Sequence, residues 1–211
     1  MDSAAWDARY ASVDLVWGGE PNRFVAAEFG PPKDSEAARP QSAGGVPPGR
    51  ALDVGAGEGR NAIWLAGLGW HVTAVDFSAV AIDRGRRLAE ARGVTVDWVV
   101  ADLRDYVPAR GAFDAVIVAY LHLLPTEIAV VLRRAADALA TGGRILVVGH
   151  DVTNVSDGIG GPQNPEILHT PEMIVAALPG LKVSRAERVR RPVATDGVKN
   201  AIDTLVTAIR A

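Results

Sequence analysis

The chain has 211 residues, 48% apolar and 22% charged, with a formal net charge of −3 and no cysteine. This length suits one domain with a substantial core. The lack of cysteine excludes disulfides, thiolate zinc sites and cysteine nucleophiles. The slightly acidic balance offers no basic field, so a nucleic-acid partner is not expected.

The opening MDSAAWDARYAS lacks the basic-then-apolar order of a signal peptide. No apolar run approaches the ~18 residues of a membrane span. The expectation is a cytoplasmic protein, monomeric or homodimeric, with no membrane partner.

Residues 1–29 read as helical and partly amphipathic, with Trp6, Tyr10, Val13, Leu15, Trp17, Phe24, Val25 and Phe29 among polar residues and a break at Gly18-Gly19-Glu20-Pro21. Residues 30–49, rich in proline, glycine and alanine, read as a linker. The first division is therefore a helical lid and linker over 1–49 and a main domain over 50–211.

From Arg50 onward, short β-branched runs at 51–54, 71–75, 94–100, 113–119 and 144–150 predict buried strands. Helical patterns separate them at about 58–68, 78–92 and 125–140, the last stopping at Thr141-Gly142-Gly143. This alternation predicts a parallel sheet covered on both faces.

Residues 151–169 read as a long polar loop, ending where Thr170 caps a helix that has Pro171 in its first turn. The segments 181–191 and 201–210, joined by a turn near Thr195-Asp196-Gly197, read as two strands pairing antiparallel.

The most informative stretch is LDVGAGEGRN, at the exit of the first strand. A dinucleotide fingerprint needs glycine at the sixth position counted from Gly55, and Arg60 stands there instead. Asp53 leads the loop. A carboxylate there opposes a pyrophosphate and suits an ammonium or sulfonium group.

Asp76 closes the second strand, where it can accept both hydroxyls of a ribose, and Phe77 follows as a stacking surface. Asp102 closes the third, where it can accept an exocyclic amine while the Leu103 N–H faces a ring nitrogen. Each acid singly reads equally well as a local cap. Three at one sheet edge, with the glycine loop, point to a nucleoside cofactor.

The run LDVGAGEGRNAIWLA…VTAVDFS…VVADLRD…FDAVIVA…LATGGRILVV resembles the class I S-adenosylmethionine-dependent methyltransferases. The resemblance implies a Rossmann-like α/β three-layer sandwich with seven strands in the order 3-2-1-4-5-7-6, strand 7 antiparallel. It implies S-adenosylmethionine as cofactor and S-adenosylhomocysteine as product. The implied roles fall on Asp53, Gly55 and Gly57 for the methionine part, Asp76 for the ribose, and Asp102 with Leu103 for the adenine; Ala56, Arg60, Ala119, Trp17 and Phe77, the last against an adenine face, are expected in the same cofactor site. The GxGRN variant and WDARYAS…WGGEPNRFV are further similar to small tellurite-resistance and thiopurine-type methyltransferases.

The acceptor is expected beyond the fourth and fifth strands, each of which exits into a histidine. His150, with Asp151 beside it, is the first candidate base, and His122 the second. His169 reads as an exposed loop residue, and His71 lies at the opposite edge. Two such histidines favour a hydroxyl acceptor on a small molecule, a sugar or phenol, over a thiol, amine, halide or metalloid anion. Carboxylates are plentiful enough to consider Mg2+, although no metal-ligand spacing is present.

The N-terminal segment is expected to close over the cofactor, with Tyr10, Trp17 and Asn22 facing it. The alternatives are a nicotinamide oxidoreductase and a cofactor-binding sensor without catalysis.

Overall fold

The structure, a computed structural model, describes residues 3–12, 18–31, 47–195 and 197–211. Trp17, Val13 and Leu15, most of the linker and Asp196 of the expected turn lie outside the described residues.

Seven strands form one sheet: β1 (Arg50–Val54), β2 (His71–Asp76), β3 (Asp97–Val100), β4 (Phe113–Ala119), β5 (Leu139–His150), β6 (Lys182–Thr195) and β7 (Gly197–Ile209). Their order is β3-β2-β1-β4-β5-β7-β6. The pairings from β3 across to β5 are parallel, and β7 runs antiparallel to both β5 and β6. This is the expected Rossmann-like topology, in which every parallel strand delivers its C-terminal end to the same edge.

Seven helices are described: α1 (Ser3–Ala11), α2 (Arg23–Phe29), α3 (Arg60–Gly67), α4 (Ala79–Ala91), α5 (Pro125–Ala138), α6 (Asn154–Asp157) and α7 (Pro171–Ala176). The sheet separates two apolar layers. Leu52, Val54, Val116 and Val118 meet Ile128, Leu132 and Ile174 on one face. Ala51, Ala115, Ile117 and Leu146 meet Val25, Phe29 and Leu65 on the other. The period-two alternation in ALDV and FDAVIVA assigns these faces, and each fully buried Leu, Ile or Phe contributes roughly 1.5–3 kcal/mol.

Four boundaries differ from expectation. β3 starts at Asp97 rather than 94, because Gly93 in the left-handed region lets the Val94 N–H bond back to the Ala89 carbonyl (3.0 Å) and keeps that stretch tied to α4. α5 ends at Ala138, and the expected glycine stop belongs to β5. Leu139 is already extended, and Gly142 and Gly143 exchange bonds with Arg210 at 2.7 and 3.0 Å. The segment after β5 is not plain loop, since it holds α6 and a 3-10 turn at Pro165–Ile167.

The fourth difference concerns the lid. α2 packs into the core: Val25 and Phe29 are buried, Phe29 meets Trp70 edge-on at 6.0 Å, and Glu28 pairs with Arg144 at 3.1 Å. Of the N-terminal helices, only α1 lies outside this layer.

Candidate active site

The glycine loop turns directly out of β1. Its first two N–H groups bond the Val75 carbonyl of β2 at 2.9 and 3.0 Å, and the Gly57 N–H reaches Asp76 Oδ2 at 2.8 Å. Asp76 Oδ1 accepts from the Ser78 N–H at 2.9 Å. Asp76 thus braces the loop against the start of α4, whose N-cap is Ser78.

Gly55, Gly57 and Gly59 all have φ between 56° and 76°. At Gly59 a Cβ would also fall 2.2 Å from Trp98 Cη2. Two demands therefore account for this glycine: a left-handed backbone and a close approach of α3 to β3. Gly55 faces Leu121 and Leu103, whose methyl carbons would lie 3.3 and 3.7 Å from an added Cβ.

Asp53 is 1% exposed. Burial raises its carboxyl from 3.8 to about 7. Arg60 and the Ala62 N–H oppose that rise, and Asp76 adds to it. Its Oδ2 has no hydrogen-bond partner among the described residues. Buried carboxylate oxygens are ordinarily hydrogen-bonded, so this one is able to accept from a cationic or N–H-bearing group. Asp76 is raised too, by burial first, although the N–H groups of Ser78, Gly57 and Phe77 hold it down.

Arg60, whose guanidinium burial pulls down, sits in the field of Tyr120, Asp53, Arg191 and Tyr10, so it links the loop to the far side of the sheet edge. An open cleft of about 310 Å³ lies beside it, lined by Gly18, Gly19, Glu58, Arg60 and Arg92 among others.

Asp102 is half-exposed. Its carboxylate is taken by its neighbour Arg104 through the backbone N–H, Nε and Nη2, with a shortest contact of 2.6 Å, and this bonding lowers its pKa. The Leu103 N–H has no partner among the described residues. Phe77 and Ala119 are half-buried on the same edge.

α1 covers this edge from outside. Asp7 accepts a hydrogen bond from the Ser78 hydroxyl, and Tyr10 is buried beside Arg60. Asn22 does not face the site as expected. Its side-chain Oδ1 caps α2, accepting from Phe24 N–H (2.9 Å) and Val25 N–H (3.4 Å).

The exits of β4 and β5 carry the second half of the site. Tyr120 adopts φ +58°, the only described residue other than glycine with a positive φ. Such a conformation in an aromatic residue costs about 1–3 kcal/mol and persists where surrounding contacts impose it. Its hydroxyl donates to Asp203 Oδ2 at 2.8 Å, and Arg191 Nε donates to the same oxygen at 2.6 Å. His150 Nδ1 lies 3.3 Å from Asp203 Oδ1, near but not aligned as a hydrogen bond. Burial alone would raise Asp203, yet His150, Arg191 and Tyr120 hold it below the usual carboxylate range.

Three expectations are corrected here. Asp151 does not serve His150: it is fully buried, and its oxygens accept from Thr204 Oγ1 (2.6 Å), Thr153 Oγ1 (2.7 Å) and N–H (3.0 Å), and Arg188 Nε (3.0 Å). It ties α6, β6 and β7 together.

His122 is not available as a base. Its Nε2 accepts from the His150 N–H (3.2 Å), leaving Nδ1 to donate to the Tyr120 carbonyl (3.2 Å). Burial, with His169 and His150 nearby, drives it down to about 3.

His169 is not exposed. It is 1% accessible, stacks on His122 at 5.1 Å and holds the Leu121 carbonyl through Nε2 (3.0 Å), and burial lowers it to about 4. His169 Nδ1 has no hydrogen-bond partner but is buried, and neither ring nitrogen of His150 has an aligned hydrogen-bond partner among the described residues.

Asp203, Arg191 and Tyr120 were not singled out as site residues from the sequence. The signal available was topological: strand 7 between strands 5 and 6 places residue 203 opposite residue 150.

Residues 51–143 match the methyltransferase domain family. This stretch is a methyltransferase domain, and the strand order is that of the class I S-adenosylmethionine-dependent methyltransferase fold. A relative, demethylmenaquinone methyltransferase of Thermus thermophilus, is 35% identical over 103 residues, 48% of this chain and 47% of that protein. The chain thus spans about half the length of this curated relative.

Among solved structures, a protein studied for converting a disulfide bond into a thioacetal group during echinomycin biosynthesis superposes with a TM-score of 0.71 at 22% identity, covering 99% of this chain and 92% of its own. TehB from Haemophilus influenzae superposes at 0.65 with 15% identity, covering 79% and 59%. These two likenesses concern the fold. No described helix is long and apolar enough to cross a membrane, and no group of three or more His, Asp or Glu among the described residues is placed to hold a metal ion.

Proposed function

We propose that this chain transfers a methyl group from S-adenosylmethionine to a hydroxyl of a small molecule, of phenol or sugar type, with His150 as general base. The unpartnered, buried Asp53 Oδ2 at the glycine loop is the observation that carries the cofactor half of this reading. Asp53 would meet the ammonium of the methionine part, Asp76 the ribose hydroxyls through its remaining lone pairs, and the Leu103 N–H and Asp102 the adenine edge. To reach an adenine amine, Asp102 shares its carboxylate with Arg104, which costs little at an exposed pair.

When bound, the cofactor supplies a methyl carbon on a sulfonium: the carbon–sulfur bond breaks with its electron pair left on sulfur as the acceptor oxygen forms the new bond. The protein's part is to place the acceptor in line, exclude water and accept one proton. His150 Nε2, which has no hydrogen-bond partner among the described residues, would take that proton. The quinone in the name of the Thermus relative supports a small-molecule acceptor, and the net charge of −3 gives nucleic acid no field to follow. The same reading makes residues 50–211 together with α2 the catalytic body, and α1 with its connection a cover over the ribose end.

Titration calorimetry of the purified chain with S-adenosylmethionine, S-adenosylhomocysteine and NADH tests this. Both sulfur compounds should bind in the micromolar range, and Asp76→Ala should weaken them at least about 100-fold, since hydrogen bonds to a charged group contribute roughly 1.5–3 kcal/mol each. Binding of NADH alone would overturn the cofactor assignment. Binding of the sulfur compounds with no turnover across a phenol and sugar panel would favour the sensor reading.

A further inference from the structure

We infer that Asp203 of β7 is a positioning residue for His150: it keeps the imidazole proton on Nδ1, so that Nε2 presents a bare lone pair to the acceptor. This rests on the reading of His150 as the base.

The two residues face each other across the antiparallel β5–β7 pair. Asp203 is fully buried, and its two oxygens are unequal. Oδ2 is taken by the Tyr120 hydroxyl at 2.8 Å and Arg191 Nε at 2.6 Å. Oδ1 has only a long contact from Arg191 Nη2 at 3.4 Å and the approach of His150 Nδ1 at 3.3 Å.

Nδ1 is itself buried and has no aligned partner among the described residues. The carboxylate oxygen beside it can only accept, so the stable arrangement puts the proton on Nδ1. Hydrogen bonds of this kind are often long before a substrate is bound and tighten afterwards.

The surroundings hold Asp203 still and do not compete for His150. The Tyr120 ring packs 5.0 Å from the imidazole and the Arg191 guanidinium lies 5.5 Å from that ring, so one face of His150 is walled by the groups that anchor its acid. His122 stacks on His150 at 5.4 Å while binding its backbone N–H, which leaves the side chain alone. Gly161 lies against the imidazole ring, where an added Cβ would fall 2.6 Å from Cδ2 and 2.7 Å from Nε2, so no larger residue fits beside His150. During transfer the acceptor proton passes to Nε2. The resulting imidazolium is then balanced by Asp203, and the proton leaves to solvent.

Replacing Asp203 with Asn gives a directional test. Tyr120 and Arg191 both donate at the Oδ2 position, so the single amide oxygen of Asn must sit there. The amide NH2 then faces Nδ1, which has to become the acceptor, and the proton moves to Nε2. Nitrogen-edited NMR of the histidine side chains, at a pH where imidazole is neutral, reads this directly, with the His150 signals assigned by their loss in His150→Gln.

In the wild type Nε2 should carry the unprotonated signature and Nδ1 the protonated one, and Asp203→Asn should reverse them. A wild-type His150 protonated on Nε2, or exchanging evenly between the two forms, overturns the inference whether or not the variant folds. An unreversed pattern in a folded Asp203→Asn does the same. S-adenosylhomocysteine calorimetry on both proteins separates the two failures: an intact binding isotherm with the wrong tautomer sinks only the role of Asp203, and absent binding with the expected tautomer sinks only the cofactor reading.

Discussion

Asp53 makes stability and cofactor binding depend on pH in a direction opposite to that of an ion-paired carboxylate. In the unfolded chain its carboxyl releases the proton near 3.8, whereas burial in the native protein holds the proton up to about 7. Between those values the native state carries one proton more than the unfolded state, so raising the pH costs native stability. At 1.36 kcal/mol for each tenfold change, the full loss is about 4 kcal/mol, complete above about pH 7.

Asp53→Asn cannot ionise and escapes that loss. Urea denaturation without ligand should therefore show the variant gaining on the wild type by about 2–3 kcal/mol between about pH 5 and about pH 8. A cation drawn to Oδ2 requires the ionised form. Cofactor affinity of the wild type should rise about tenfold per pH unit below about 7 and level off above it, with proton release visible in buffers of different ionisation enthalpy. A stability gap that stays constant or narrows with rising pH would refute the reasoning, because the buried carboxyl would then not be the titrating group.

Gly59→Ala should lower stability by about 2–5 kcal/mol, from about 1–2 for the left-handed backbone and about 1–3 for the clash with Trp98, which is a fall in Tm of roughly 5–15 °C. Adding Trp98→Ala should recover the clash part alone, as a double-mutant cycle by calorimetry would show. Removing residues 1–18, which takes away α1 and the contact of Asp7 with Ser78, should weaken cofactor binding about tenfold with little change in Tm. Extending the removal through Phe29 should melt the protein at lower temperature, since α2 fills the core.

The fold was legible because its two signals are local. Alternating β-branched runs and helical stretches predicted the parallel sheet, and two consecutive terminal strands predicted the antiparallel pair. The placement of the three strand-end acids was legible for the same reason. Asp53, Asp76 and Asp102 each end a strand, and parallel strands end at one edge, so sequence position translates directly into spatial position.

The boundaries that moved were set by contacts no window reveals. Arg210, at the far end of the chain, holds Gly142 and Gly143 in a strand. Phe29, far in sequence from Trp70 at the entrance to β2, meets its ring and belongs to the core rather than to a cover.

The acceptor half failed to be legible in an instructive way. Arg188, Arg190 and Arg191 read as a solvated run, yet Arg188 closes on Asp151 and Arg191 on Asp203, while Arg190 stays exposed. Arg188 and Arg191 stand three apart on β6 and so lie on opposite faces of the sheet, each meeting an acid there, and neither acid is foretold by the run itself. Asp203 is the one acid in AIDTLVTAIR, and nothing along that stretch marks it as a site residue. It is fully buried, because β7 inserts between β5 and β6 and the register sets it against His150. The nearest acid in sequence, Asp151, points to other work for a related reason: neighbours along a strand face opposite sides of the sheet. A histidine at a strand end is therefore better matched to an acid across the ladder than to the residue beside it, and here the acid across from His150 is held by Tyr120 at the cost of a strained backbone.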